Sequence, residues 1–398
     1  MNPAIVVITY DRPHSLQRLL ASIDAADYPD GAEVPLIISV DRGPSKSREA
    51  VVEAAQGFSW RFGRKRVLEQ ERHLGVVDHF WAAGRLSQEH EAVVLLEDDL
   101  TVAPPFYRFA AQALSHYSSD ARVGGVCLYD LWFNGFTHLP FRPLDDGSDV
   151  YFVQLPYTQG YAMMASRWAG FEAWAQRNGR GVKAHPALHP SFLSFRDDEW
   201  FPTLAAYLAQ EGRYFCFPRV GLSTGWGDAG VHFDRRTDWF MAPVQVRGDD
   251  FRLPELDDSL AVYDSFFELS PERLRQLVPS LPDVEFDVDL NATKRPENLR
   301  HEYVLTTRPV WKALACFGLR IQPLELNVIQ GVGGSEISLA GVADVYWDGW
   351  AGLEARRRLE ALARSKLRPS RRRNVSFSLA RVVTRVRRLK DESRFRKK

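Results

Sequence analysis

The chain has 398 residues, 45% hydrophobic and 26% charged, with 51 Lys/Arg against 51 Asp/Glu. This is an ordinary soluble composition with material for a large core and two or three domains. No stretch approaches the ~18 apolar residues of a spanning helix, and three widely spaced cysteines, Cys127, Cys216 and Cys316, exclude a disulfide framework or zinc knuckle.

In chain order, AIVVITY (4–10) reads as a strand. It follows an N-terminus without a basic or signal-type region, so a cytosolic protein with buried free thiols is expected. SLQRLLASIDAA repeats Leu16, Leu19, Leu20 and Ile23 at helical spacing, with Ser15 as the N-cap. VPLIISVD (34–41) is a second strand ending on Asp41, and SREAVVEAA a second helix. RKRVLEQER (64–72) is a third strand, HLGVVDHFWAAGRLSQE a helix, and EAVVLLEDD a fourth strand. Alternation at this pace predicts an α/β fold with a mostly parallel sheet. Ligands bind at the carboxyl ends of such strands, where Asp11, Asp41 and the Glu97-Asp98-Asp99 cluster lie.

GGVCLYD (124–130) and Tyr151–Leu155 read as further strands, SRWAGFEAWAQ as a helix and RYFCFP as a strand. SFRDDEWFPTLAAYLAQEG reads as a helix with acids in its first turn, favourable for the macrodipole. GLSTGWGDAGVHF is a glycine-rich loop. Residues 246–290 are acidic and interrupted by proline, and 325–342 reads as strands around a glycine turn. The expected division is a catalytic domain at 1–245, a partly β accessory region at 246–350 and a basic tail, helical in part or disordered, at 351–398.

Three acids ending an apolar strand repel one another unless a cation sits among them. In extended chain Glu97 and Asp99 point one way and Asp98 the other, with i,i+2 positions roughly 7 Å apart. That spacing does not build a three-carboxylate cage. It suits Mg²⁺ or Mn²⁺ held by one or two carboxylates, water and a diphosphate. The plain alternative is an acid cluster at the start of the helix APPFYRFAAQAL.

VVLLEDDLTVAPPFYRFAAQAL resembles the metal-binding segment of the GT-A glycosyltransferases related to N-acetylglucosaminyltransferase I, a group similar to family-2 glycosyltransferases. ITYDRPHSLQRLLASI, PLIISVDRGPSKSREAV, ERHLGVVDHFWAAG and FRDDEWF followed by GRYFCFPRVGLSTGWGDAGVHF resemble other family segments in the same order, over about residues 4–235. The resemblance implies a GT-A, Rossmann-like fold and an inverting, metal-dependent transfer from a UDP-sugar, GlcNAc being the family's sugar. Asp99 would contact the metal. Glu97 and Asp98 would contact the donor sugar and ribose, and Asp41 would accept from uracil N3–H. Arg12 would lie near the nucleotide; His73 would pack on it, or be a solvated turn histidine.

An inverting transfer needs a carboxylate base for the acceptor hydroxyl. The resemblance puts it in RDDEW; the family has two acids directly before Trp, and here Glu199 intervenes. The order of preference is Asp198, Asp197, Glu199. Gly225, Gly227 and Gly230 could let the loop close over the donor. His232 is a second metal-ligand candidate. TQGYAMMAS falls where the family lines its sugar sites, with Tyr161 either stacking on a sugar or filling the core.

Residues 354–398 hold 18 Lys/Arg against 4 Asp/Glu, leaving 33 against 47 elsewhere. The final stretch reads as a cationic amphipathic helix for an anionic membrane surface, or else a disordered tail. This fits a peripheral enzyme on the cytoplasmic face with a glycan or lipid-linked acceptor. No nucleic-acid signature is present. The rival functions are a sugar-phosphate nucleotidyltransferase, disfavoured because YDRPHS replaces a glycine-rich phosphate loop, and an inactive glycan-binding or scaffold protein of the same fold.

Overall fold

The structure, a computed structural model, describes residues 1–43, 46–196, 198–229 and 235–365. Asp197, Gly230, His232 and the tail from 366 onward therefore lie outside the described residues.

The first half alternates as expected: β1 (Ala4–Thr9), α1 (Pro13–Asp24), β2 (Leu36–Val40), α2 (Arg48–Gly57), β3 (Lys65–Glu69), α3 (Gly75–Arg85), α4 (Ser87–His90) and β4 (Ala92–Glu97). Then come β5 (Leu100–Val102), α5 (Phe106–His116), β6 (Val123–Cys127), β7 (Val150–Val153), β8 (Tyr161–Met164), α6 (Ala165–Asn178), α7 (Trp200–Gln210), β9 (Tyr214–Pro218) and β10 (Ser223–Gly225). The remainder holds β11 (Val262–Tyr263), α8 (Pro271–Leu277), β12 (Phe286–Asp289), β13 (Tyr303–Thr306), β14 (Ala315–Phe317), α9 (Leu326–Ile329), β15 (Ile337–Gly341) and α10 (Gly349–Ser365).

Nine strands form one sheet in the order β11-β7-β9-β6-β8-β4-β1-β2-β3. β3, β2, β1 and β4 are mutually parallel; β8 runs antiparallel between β4 and β6. Both faces are covered, which is why β1 and β4 are continuously apolar. Ile5 and Val7 face a core with Leu16, Leu20 and Phe109. Ala4 and Val6 face another core with Phe80, Trp81, Trp168 and Leu204. On that second face aromatic rings interlock: Trp81 stacks on Phe171 at 4.8 Å and Phe80 on Trp200 at 4.0 Å. Gly84 makes room for Trp168, whose ring atoms lie 2.1 Å from where a Cβ would stand.

Several expectations are corrected. Arg12, not Ser15, occupies the N-cap of α1, because Pro13 opens the helix and sets φ. The acids of RDDE precede α7 instead of sitting in its first turn. Residues 326–329 are helical, not extended. Cys316 is exposed, unlike the buried Cys127 and Cys216.

The segment from 246 onward adds a four-stranded sheet, β12-β13-β15-β14, but also sends β11 to the edge of the large sheet, parallel to β7. Leu305, Ile337 and Leu339 of the small sheet share a core with the α3–α7 side of the large one. An ion pair joins them as well, Lys294 Nζ to Asp264 Oδ2 at 2.6 Å just after β11, while the buried pair Arg308 Nε–Asp289 Oδ2 at 3.2 Å ties β12 to the segment after β13 within the small sheet. Among the described residues no helix is long and apolar enough to cross a membrane.

Candidate active site

The register of three neighbouring strands gathers the acids. Thr9 lies opposite Val40 and Ile8 opposite Glu97, so the carboxyl ends of β2, β1 and β4 share one rim. Asp41 follows β2, Arg12 follows β1, and Asp98 and Asp99 form the turn between β4 and β5.

Arg12 crosses from β1 to the acid cluster. It donates to Asp98 Oδ1 through one terminal nitrogen and to Asp99 Oδ2 at 3.2 Å through the other. Burial works against its charge, but Asp98, Asp99 and Glu97 together hold it above its usual value. Thr9 Oγ1 donates to Asp98 Oδ2 at 2.7 Å. Both oxygens of Asp98 are thus engaged internally and the residue is buried. It holds Arg12 and the turn in place, where the resemblance had it touching the donor. Burial pushes its carboxyl up to about 6 against the pull of Arg12.

Glu97 is only partly exposed. Burial of its carboxyl, with Asp99, Asp98 and Glu199 nearby, pushes it up to about 8 despite Arg12. β8 runs beside it. Tyr161 pairs with Leu95, so Gln159 arrives next to Glu97. Tyr161 is a core aromatic, buried on the Phe80 side, yet among the described residues its hydroxyl has no partner; Gln159 Oε1 is likewise buried and unpartnered among them.

Asp41 is buried, and among the described residues its carboxylate receives four donors. Oδ1 accepts from Arg42 N–H at 2.7 Å and Leu74 N–H at 2.8 Å. Oδ2 accepts from Gly75 N–H at 2.9 Å and pairs with His73 Nδ1 at 2.9 Å. These fill its lone-pair positions. A uracil N3–H therefore requires one donor to yield, and His73, 53% exposed, has room to turn. The His73 ring lies 5.4 Å from that of Tyr10, so His73 is anchored to Asp41 and packs on a ring while more than half of it stays in solvent.

Of the acids before α7, Asp198 is 54% exposed and paired with Arg196 at 3.3 Å. Glu199 is 8% exposed, and its charge acts on Glu97. Of the two described acids, Glu199 is enclosed and Asp198 faces solvent.

The loop after β10 is laid over the same turn. Gly225 pairs with Leu100, and Trp226 N–H donates to Asp99 O at 3.0 Å. Trp226 Nε1 donates to Thr101 Oγ1 at 2.5 Å. Asp228 is clamped to α1 by Arg18 and by Ser15 Oγ at 2.8 Å, and the Arg18 guanidinium lies over Trp226 at 4.4 Å. Gly227 sits at φ 58° with the Thr237 carbonyl where a Cβ would stand, so only glycine fits.

Among the described residues Arg12 is the cation paired with Asp98 and Asp99, while Glu97, pushed up to about 8, keeps its proton at neutral pH. Among the described residues Asp99 is engaged only through Oδ2, and no three His, Cys, Asp or Glu side chains converge into a cage. This donor set fits a hard divalent ion that takes one protein carboxylate and completes its shell with water and diphosphate oxygens.

Gln159, Tyr10, Ser15, Arg18, Trp226 and Asp228 were not read as functional from sequence. The signal for Gln159 is its place in TQGYAMMA, a polar residue at the mouth of an apolar strand. The Asp228 clamp spans 213 and 210 residues and has no local signal.

Comparison with family models gives no match, and comparison with curated proteins gives none. Solved structures give distant ones. TarS of S. aureus is 17% identical over 55% of this chain and 35% of its own, with a TM-score of 0.33. The mannosyltransferase PcManGT of Pyrobaculum calidifontis, in complex with GDP-Man and Mn²⁺, is 15% identical over 55% and 58%, at 0.34. GalNAc-T7 with UDP, GalNAc and Mn²⁺ is 14% identical over 55% and 42%, at 0.35. The chain thus spans about a third to three-fifths of these proteins, and likeness at this level assigns no activity.

Proposed function

We propose that the protein is a metal-dependent glycosyltransferase of GT-A type. It moves a sugar with inversion from a nucleotide diphospho-sugar, UDP-GlcNAc being the first candidate, to a hydroxyl of a glycan or lipid-linked acceptor. The observation that carries this reading is the gathering of Asp41, Arg12, Glu97, Asp98 and Asp99 at the carboxyl ends of β2, β1 and β4, where among the described residues Asp99 is engaged through Oδ2 alone.

Glu199 is the base in this reading. It accepts the acceptor hydroxyl proton while the hydroxyl oxygen bonds to the anomeric carbon. The bond from that carbon to the diphosphate breaks, and the nucleoside diphosphate leaves with the electron pair. Mg²⁺ or Mn²⁺ held by Asp99 would offset the charge developing on the leaving group. Arg12 and Thr9 hold the acidic turn in position, His73 and Tyr10 flank the base of the nucleotide, and Glu97 faces the sugar. The basic tail is read as a contact with an anionic membrane surface, where a lipid-linked acceptor resides.

Calorimetric titration of UDP, with Mn²⁺ and with EDTA, tests the donor site. Binding that needs both the metal and Asp99 supports the reading, with Asp99→Ala as the comparison. Metal-independent binding, or none to UDP, GDP, CDP or dTDP, overturns it. A panel of UDP-sugars with product anomer analysis then reads the sugar and the stereochemistry.

A further inference from the structure

The C-terminal module presents an aromatic face that the transfer chemistry does not use. Val310 and Val345 form an antiparallel bridge and pack inward with Val304 and Ala340. Their neighbours Trp311 and Tyr346 therefore point outward, and they are 65% and 49% exposed. Four residues after Tyr346, Trp350 opens α10 and is 78% exposed. The bridge is closed by Trp311 N–H to Asp344 O at 3.1 Å and Tyr346 N–H to Pro309 O at 3.0 Å. Asp348 Oδ1 accepts from Ala351 N–H at 2.9 Å at the start of α10, and Gly352 packs on the Arg308 guanidinium. The aromatic residues thus stand on a fixed frame at one end of the small sheet.

α10 continues this face. Ala351, Ala355 and Leu359 are buried. At helical spacing Trp350, Leu353, Arg357 and Arg364 fall on the opposite side. Glu360 shares this side and pairs with Arg364 at 3.3 Å, which leaves Arg357 beside Trp350 and Leu353; such a mixture of indole, leucine and guanidinium matches a bilayer interface, where indole rings sit at headgroup depth and guanidinium groups meet phosphates. The charge agrees: the segment from 354 to 398 carries 18 Lys/Arg against 4 Asp/Glu. Each basic residue near an anionic leaflet adds to the attraction.

We infer that Trp311, Tyr346 and Trp350, with the arginine side of α10, form a docking face for an anionic lipid bilayer. The folded module inserts its aromatic side chains while the basic segment supplies long-range attraction. A hydrophobic anchor plus a basic patch is the pairing that gives stable surface attachment where either alone is marginal. The face would set the orientation of the module on the lipid, which a basic tail alone does not do. The inference is independent of the reaction proposed above.

The test is sedimentation of the full chain with vesicles of mixed phosphatidylglycerol and phosphatidylcholine, and of phosphatidylcholine alone, at low and high salt. Trp311→Ser and Trp350→Ser are the variants; both residues are exposed, and circular dichroism and melting verify that each still folds. Expected is binding to the anionic vesicles that each variant weakens about tenfold, with a blue shift of tryptophan emission that Trp350→Ser diminishes. Variants that bind like the wild type overturn the face and leave the tail as the sole contact. Equal binding to neutral vesicles, or none to either, also overturns it. So does a concentration-dependent dimer by light scattering that Trp350→Ser dissolves, since the occupant is then a second copy.

Discussion

Phe80 and Trp200 lie face to face, 4.0 Å between centroids and 12° from parallel. Phe80 belongs to α3 and Trp200 is the first residue of α7, so this stack fixes the start of the helix that Glu199 precedes. The backbone of Glu199 is also held, since Thr203 Oγ1 donates to its carbonyl at 2.6 Å. The backbone that carries its carboxyl group is thus fixed, as the proposed role of base requires.

Exchanging this group separates Glu199 from its neighbour. Glu199→Gln is expected to lower kcat by about 10²–10⁴ while donor binding persists. Asp198→Asn, at an exposed residue paired with Arg196, is expected to stay within a few-fold of wild type. Steady-state kinetics with UDP-sugar and calorimetric UDP affinity are the readouts. The reverse ranking would move the base to Asp198.

His79 gives a pH dependence with a definite sign. It is buried, shares a 2.7 Å hydrogen bond with Ser39 Oγ, and burial lowers it to about 4, Asp41 opposing and His73 assisting. Between about 4 and the usual 6.5 the unfolded chain binds this proton and the folded one does not. Stability contributed here is present above that window and lost as pH falls through it, by up to about 3 kcal/mol. Urea unfolding at a series of pH values checks this. His79→Gln is expected to flatten the slope in that range.

Gly84 is a packing requirement. A methyl group there would enter the Trp168 ring, so Gly84→Ala is expected to destabilise the fold by about 1–3 kcal/mol, although alanine favours helices. Chemical denaturation reads the difference. Gly57, whose Cβ would meet nothing within 4 Å, is the control, and Gly57→Ala is expected to be neutral or mildly stabilising.

The thiols divide by burial. Burial pushes Cys127 and Cys216 well above the usual thiol range, and Cys316 is exposed. Ellman's reagent is expected to modify one thiol per native chain quickly and all three after unfolding. Cys316→Ser removes the fast phase.

The parallel core was legible because β1, β2 and β4 are apolar on both faces, with the charged β3 at the edge, and the crossover helices repeat their apolar residues at helical spacing. Strand-end acids follow from that alternation, which is why Asp41, Glu97 and Asp99 were found. What their carboxylates do was not legible. The donors to Asp41 come from the 73–75 turn, and the partners of Asp98 lie 86 and 89 residues away at Arg12 and Thr9. RDDE has no apolar residue to set a period, so the choice of acid waited for the Trp200 stack. β8 was hidden because YAMM runs directly into α6 and because it is antiparallel in a region read as parallel.

β11 is two residues long, yet it lies at the outer edge of the large sheet and comes from beyond the change in composition at 245. Cutting the chain there would bare the backbone edge of β7, strip Tyr263 from beneath Phe141 and leave Asp146 without Ser259. The change in composition is therefore not a seam. The large sheet borrows its last strand from the region that follows it, so the two are expected to unfold together. A shortened chain ending at 245 is expected to aggregate through that bared edge instead of surviving as a smaller enzyme.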